Sequence, residues 1–137
     1  KEKECKDDET CLENLKKIDE MKGKVNICYA RVSTINQKDD LETQKNVLKK
    51  KYPEHILIHD IGSGLNLNKR GIRKIIKLAI EGRVNELVVL YKDRLTRFGF
   101  ELIEDLITEY SKGKIIIDLY IFFLQKMIDI KREKDRQ

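Results

Sequence analysis

Four short apolar runs alternate with amphipathic stretches, and this alternation limits the possible fold more than any other feature. The runs are 25–30, 55–59 (HILIH), 86–91 (ELVVLY) and 115–119. Between them, 39–51 turns Leu41, Val47 and Leu48 inward, with Pro53 just past its end. Residues 69–81 put Ile72, Ile75, Ile76, Ala79 and Ile80 on one stripe, closed by Gly82. A further helix after Arg97 buries Leu102, Ile103, Leu106, Ile107 and Tyr110 and ends near Gly113, and a last helix from Tyr120 becomes highly charged toward Gln137. Such alternation predicts a doubly wound α/β domain: a four-stranded, mainly parallel sheet flanked by helices, with right-handed crossovers. The continuously apolar third run suits a strand covered on both faces.

The 137 residues suffice for one domain with a hydrophobic core. No apolar run approaches the roughly 20 residues that a membrane crossing needs, and no basic-then-apolar leader precedes a small-residue cleavage site. The first residue is Lys1 rather than Met, which reads as a piece of something longer. Cys5, Cys11 and Cys28 are an odd number without CxxC spacing, which favours a reducing, intracellular setting over a disulfide framework or zinc. Cys28 reads as a buried small hydrophobe.

Charge is unevenly spread. Residues 1–23 hold six lysines and eight acidic residues, a net of −2, so the remainder carries +7 and the whole chain +5. Leu12, Leu15, Ile18 and Met21 recur at spacings of three, giving an amphipathic helix over about 10–22 stopped by Gly23. The expectation is a solvated leading helix or linker over 1–23, a domain over 24–119, and a C-terminal helix over 120–137. The basic body suits a polyanionic partner.

Three runs follow the first three strands: Tyr29-Ala30-Arg31-Val32-Ser33-Thr34, Asp60-Ile61-Gly62-Ser63-Gly64 and Lys92-Asp93-Arg94-Leu95-Thr96-Arg97. In a parallel sheet, the carboxyl ends of neighbouring strands converge on one crevice. Ser33, the guanidinium groups of Arg31, Arg94 and Arg97, and the carboxylates of Asp60 and Asp93 should therefore meet, with Arg70 from the loop after the second strand as a fourth arginine. Guanidinium groups bind phosphate in bidentate fashion, and phosphoryl transfer depends on positioning and charge neutralisation. A serine needs an activating partner, yet the two histidines are misplaced for a Ser-His-Asp hydrolase. His55 lies at the wrong end of its strand, and His59 is flanked by Ile58 and Asp60. Asp60 and Asp93 have alternative roles: orienting the arginines by ion pairs, binding a divalent metal, or, for Asp93, general acid catalysis. The surplus of positive charge disfavours a cation.

The patterns Y-A-R-V-S-T-x-x-Q, D-x-x-S-G, K-R-G and K-D-R-L-x-R, in this order, resemble the catalytic domain of the serine site-specific recombinases, the resolvases and invertases. The stretches QKDDLETQ, DIGSGLN and KDRLTRFGFELIE are most similar to the resolvase-like recombinases of small insertion-sequence elements, and the likeness spans about 24–113. The resemblance implies that Ser33 attacks a DNA phosphate, leaving a 5′-phosphoseryl link and a free 3′ hydroxyl. It implies that Arg31, Arg94 and Arg97 hold that phosphate, and that Arg70, Gln37, Asp60 and Asp93 support them. It also implies double-stranded DNA as partner, a homodimer assembling to a synaptic tetramer, and no metal, nucleotide, cofactor or small-molecule substrate. Two features depart from the family. Residues 1–23 are too few for the helix-turn-helix domain that precedes the catalytic domain in these mobile-element types. The fourth strand also runs almost directly into the last helix, where the family has a loop. Two rival readings remain: a non-catalytic DNA-binding or dimerising relative, and a metal-dependent nuclease using Asp60 and Asp93.

Overall fold

The most apolar runs take the centre of the sheet. In the computed structural model, which describes residues 9–95 and 99–136 without the side chains of Glu9, Thr10, Lys92, Asp93 and Phe122, β1 (Val25–Val32) lies between β2 (Ile56–Ile61) and β3 (Val84–Val89). β4 (Lys114–Ile117) adds to the far side of β3, giving the order β2-β1-β3-β4 with every pair parallel.

The helices divide between the two faces. α2 (Lys38–Lys51) leads from β1 to β2 and packs Leu41, Val47 and Leu48 on Cys28, Ala30 and Val32. α3 (Arg70–Ile80) leads from β2 to β3 on the opposite face, where Ile72, Ile75 and Ala79 meet Ile27, Tyr29 and Ile58. Each such aliphatic burial contributes about 1.5–3 kcal/mol. Burial, then the charge of Glu86, push the Cys28 thiol up to about 12, so it behaves as the buried hydrophobe its position suggests.

The leading helix departs from the solvated reading. α1 (Glu9–Glu20) buries Cys11, Leu15 and Ile18 in the α3-side core. Asn14 Nδ2 donates to the Leu57 carbonyl at 2.7 Å and the Cys11 thiol to the His59 carbonyl at 3.7 Å, so α1 covers main-chain groups of the edge strand β2. Arg83 closes its far end through the carbonyls of Ile18, Met21 and Gly23.

Phasing also differs after β3. A short turn, α4 (Lys92–Leu95), precedes α5 (Phe100–Leu106), which widens into a π-helical turn over Ile107–Ser111. Phe100, Ile103, Ile107 and Ser111 face inward, whereas Leu102 and Tyr110, expected in the core, are exposed. The Ser111 hydroxyl donates to the Ala79 carbonyl at 2.8 Å and accepts from the Val84 amide at 3.2 Å, and this fixes the turn. In α3, Leu78 is buried and Ile80 exposed, the reverse of the expected stripe at its end.

α6 (Leu119–Asp135) starts two residues after β4, as close as the sequence suggested. Asp118 caps it, accepting from the Ile121 amide at 3.5 Å, and also accepts from the Tyr52 hydroxyl at 2.5 Å and pairs with Lys51 at 2.7 Å. Burial raises the Asp118 carboxyl, but Lys51, Tyr52 and the Ile121 amide outweigh it and hold the group below its ordinary range.

Candidate functional site

All four strands run the same way, so the ends of β1, β2 and β3 open on one edge of the sheet. Two of the strands extend further at this edge than the apolar runs suggested, and one stops earlier. β1 continues through Arg31 and Val32, β2 continues through Asp60 and Ile61, and β3 stops at Val89, two residues short of the expected end. Arg31 and Asp60 are therefore register neighbours within the sheet, both fully buried, rather than loop residues beyond it.

Arg31 and Ser33 meet directly. Arg31 Nη1 donates to the Gly62 carbonyl at 2.8 Å and lies 3.5 Å from Ser33 Oγ. Ser33 itself is exposed, just past β1. Gln37 holds its loop: Gln37 Oε1 accepts from the amides of Ser33 at 3.0 Å and Thr34 at 3.1 Å, at the start of the 3₁₀ turn Ile35–Gln37. One exposed amide side chain thus fixes the backbone on which the hydroxyl rides.

Asp60 caps a helix, a job that its sequence position did not suggest. Its carboxylate accepts from the Tyr29 hydroxyl at 2.5 Å and from the amides of Gly71 and Ile72, both at 2.8 Å. It thereby caps the N-terminus of α3, where unpaired amides favour an anion. Burial pushes this carboxyl above its ordinary range, opposed by Tyr29, the two amides and the charge of Lys69. The glycine of the K-R-G run follows from this cap: a Cβ on Gly71 would sit 2.8 Å from Asp60 Oδ1 and 2.8 Å from Ile58 Cγ2.

Arg94 lies in α4, which packs against both β1 and β3. Its guanidinium stands 4.8 Å from the Tyr91 ring centroid and 3.7 Å from Asp40 of α2, which also pairs with Lys126 of α6 at 3.7 Å. Arg94 Nε is buried and has no hydrogen-bond partner among the described residues. Arg70 opens α3, half-buried, and lines a groove of about 1260 Å³ between α1 and α3 together with Asn66, Arg73 and Lys77. Arg97 and the side chain of Asp93 lie outside the described residues.

Several residues at this edge escaped the sequence. Gln44, buried on α2, accepts from the Arg31 amide at 3.2 Å and donates to the Arg31 carbonyl at 3.1 Å, clamping its main chain from both sides. Its signal was present: a glutamine three residues after Leu41 and four before Leu48 stands on an otherwise apolar stripe. Tyr29, Asp40 and Tyr91 gave no such sign. His59 is buried in β2, and His55 Nε2 lies 2.6 Å from Glu86 Oε1.

The chemistry available is that of an exposed hydroxyl beside a buried, backbone-anchored guanidinium, with a second arginine on the adjoining turn. This arrangement can hold an anionic tetrahedral centre close to a serine oxygen. No group of three or more His, Cys, Asp or Glu side chains among the described residues could hold a metal, and no helix among them is long and apolar enough to cross a membrane.

Known proteins share both sequence and architecture. Residues 26–130 match the family described as Resolvase, N terminal domain. The "Putative resolvase R771" of Acanthamoeba polyphaga mimivirus is 65% identical over 94 residues, 69% of this chain and 50% of that protein, so the chain spans about half the length of the curated relatives it matches. A serine recombinase from Sulfolobus solfataricus superposes with a TM-score of 0.65 at 42% identity, covering 71% of this chain and 69% of that one. The C-terminal catalytic domain of ISC1926 TnpA, an IS607-like serine recombinase, gives 0.62 at 41% identity, over 68% of this chain and 66% of that one. The chain belongs to the resolvase N-terminal domain family and has the fold of a serine recombinase catalytic domain.

Proposed function

We propose that this chain is the catalytic domain of a DNA serine recombinase. Ser33 Oγ attacks a phosphodiester, the new Oγ–P bond forms as the P–O3′ bond breaks, and the serine proton ends on the departing 3′ oxygen. The phosphoseryl link preserves the energy of the ester, so the reverse attack by a 3′ hydroxyl rejoins the strand without an outside energy source. Arg31 and Arg94 neutralise the phosphate oxygens, Arg97 joins them, and Asp93 supports the same turn. Gln37 sets the Ser33 loop, Asp60 sets the start of α3, and Arg70 stands beside that start as a supporting cation. The observation that carries this reading is the Arg31 guanidinium fixed by Gly62 at 2.8 Å with Ser33 Oγ at 3.5 Å.

Double-stranded DNA is the proposed substrate, and the proposed working form is a homodimer that pairs into a synaptic tetramer. The apolar stripe of α6 supports self-association: Tyr120, Phe123, Leu124 and Met127 follow i, i+3, i+4, i+7 spacing and are exposed. The metal-dependent nuclease fits less well, because the Asp60 carboxylate is fully buried and engaged by Tyr29, Gly71 and Ile72.

The test is incubation with a supercoiled plasmid carrying the DNA that flanks the gene, followed by denaturing gels. A covalent protein–DNA adduct is expected, indifferent to EDTA and absent in Ser33→Ala. Arg94→Ala should form it about 10²–10³-fold more slowly while keeping its circular dichroism spectrum. Cleavage that needs a divalent metal and persists in Ser33→Ala would instead assign a nuclease. DNA binding with no adduct, even with a sequence-reading domain supplied, would assign a non-catalytic relative.

A further inference from the structure

Lys69 carries no role in the sequence reading, yet its side chain is the most deeply buried ammonium among the described residues, at 1% exposure. Taking an ammonium out of water costs several kcal/mol unless its protons find acceptors. Lys69 finds them in the turn after β2. Its Nζ donates to the Ser63 carbonyl at 2.5 Å and to the Asn66 carbonyl, and the Asp60 carboxylate feels its charge.

Those contacts lead to the proposed site through few links. The same turn begins at Gly62, whose carbonyl anchors the Arg31 guanidinium. Within the turn, the Asn66 amide also donates to the Ser63 carbonyl, and the Leu65 amide to Ser63 Oγ. Lys69 stands at the N-cap of α3 in extended conformation, φ −81° and ψ 150°, and makes no side-chain cap itself. Asp60 supplies the cap instead, which leaves the Lys69 side chain to fold back into the turn. One ammonium therefore ties together the turn, the buried carboxylate and the start of α3. A neutral side chain there would strip a charged donor from two carbonyls and a counter-charge from Asp60.

We infer that Lys69 is a positioning residue for strand cleavage: it holds the 62–68 turn against Arg31 and so keeps that guanidinium beside Ser33, without itself touching the phosphate. What is positioned rests on the recombinase reading above; how it is held rests on the contacts alone.

Two measurements on the full chain test this. In the unaltered protein, nuclear magnetic resonance should find the Lys69 ammonium protons protected from solvent, unlike those of the exposed lysines. Lys69→Met and Lys69→Arg are then compared on the same plasmid for adduct rate at saturating DNA and for DNA affinity. Lys69→Met should lower the rate by roughly a hundredfold, leave affinity within about twofold of the original as a positioning role requires, and speed amide exchange at 63–66. Lys69→Arg, which keeps a charged donor, should recover most of the rate. Ammonium protons that exchange as fast as exposed ones overturn the assignment, whether or not either variant folds. So does a Lys69→Met protein that cuts at the original rate, or one that loses affinity in proportion to rate. If the unaltered protein forms no adduct while its Lys69 ammonium is protected, the recombinase reading fails and the holding of the turn stands.

Discussion

The strand-end pocket and helix α6 solve opposite problems. At the pocket, polar and charged groups are buried, and most of those named find partners within the chain: the Arg31 guanidinium at Gly62 and its main chain at Gln44, Asp60 at Tyr29 and the α3 amides, and Lys69 at two carbonyls, while Arg94 Nε has no hydrogen-bond partner among the described residues. On α6 the imbalance is reversed, since apolar side chains such as Tyr120, Phe123 and Met127 stand in solvent. Buried polar groups impose a cost on the fold unless matched, and the matches for Asp60, Lys69 and the Arg31 main chain come from this chain itself. An exposed apolar stripe costs little until another surface can cover it, so α6 is suited to completion by a second molecule. The difference teaches that the contacts around Arg31, Asp60 and Lys69 form within one chain, whereas the assembly proposed for it rests on α6.

Gly71→Ala should strike the pocket hardest. The added methyl would press on Asp60 and Ile58 at 2.8 Å, and overpacking of this kind costs about 1–3 kcal/mol. A thermal midpoint unchanged from the original would show that the cap on α3 yields more easily than the contacts indicate.

On α6, Phe123→Asp combined with Met127→Asp should leave fold stability within about 0.5 kcal/mol while converting dimers to monomers in sedimentation. Should the doubly substituted protein still self-associate like the original, the stripe is not the interface, and the contrast between the two regions fails there.

The smallest effect concerns the joint between them. Asp118 ties the start of α6 to Lys51 and Tyr52 of the α2 end, and its folded pKa lies below the ordinary value. A carboxyl of that kind stabilises the fold above its unfolded pKa and loses the contribution as pH falls through the folded one. Thermal midpoints should therefore drop between about pH 5 and about pH 2, and part of that drop should vanish in Asp118→Asn. Identical pH profiles for the two proteins would remove Asp118 as the anchor.

Sequence legibility followed the range of the interactions. Strands and helices were readable because each apolar period lies within a few residues, and the nearness of Ser33 to Arg31 and Gln37 was readable because they share one short run. The burial of α1 was not, because Asn14 looks like a solvated residue until the edge of β2 lies against it. Tyr110 was misplaced because a π turn over Ile107–Ser111 breaks the helical period. Asp60 was assigned to the run after the strand, whereas it lies within β2, and its partners Gly71 and Ile72 lie eleven and twelve residues away on another element.

By itself the sequence determined the alternation of elements, the parallel sheet and the family, because periodicity and strand-end motifs are local patterns that survive without contacts. The tertiary structure alone decided that Arg31 and Asp60 sit side by side within the sheet, that Gln44 clamps one and α3 receives the other, and that Lys69 turns inward. Each of these is a choice of partner for a buried polar group. Such partners are set by which elements the fold brings within hydrogen-bonding distance, and the linear order of residues does not record that distance.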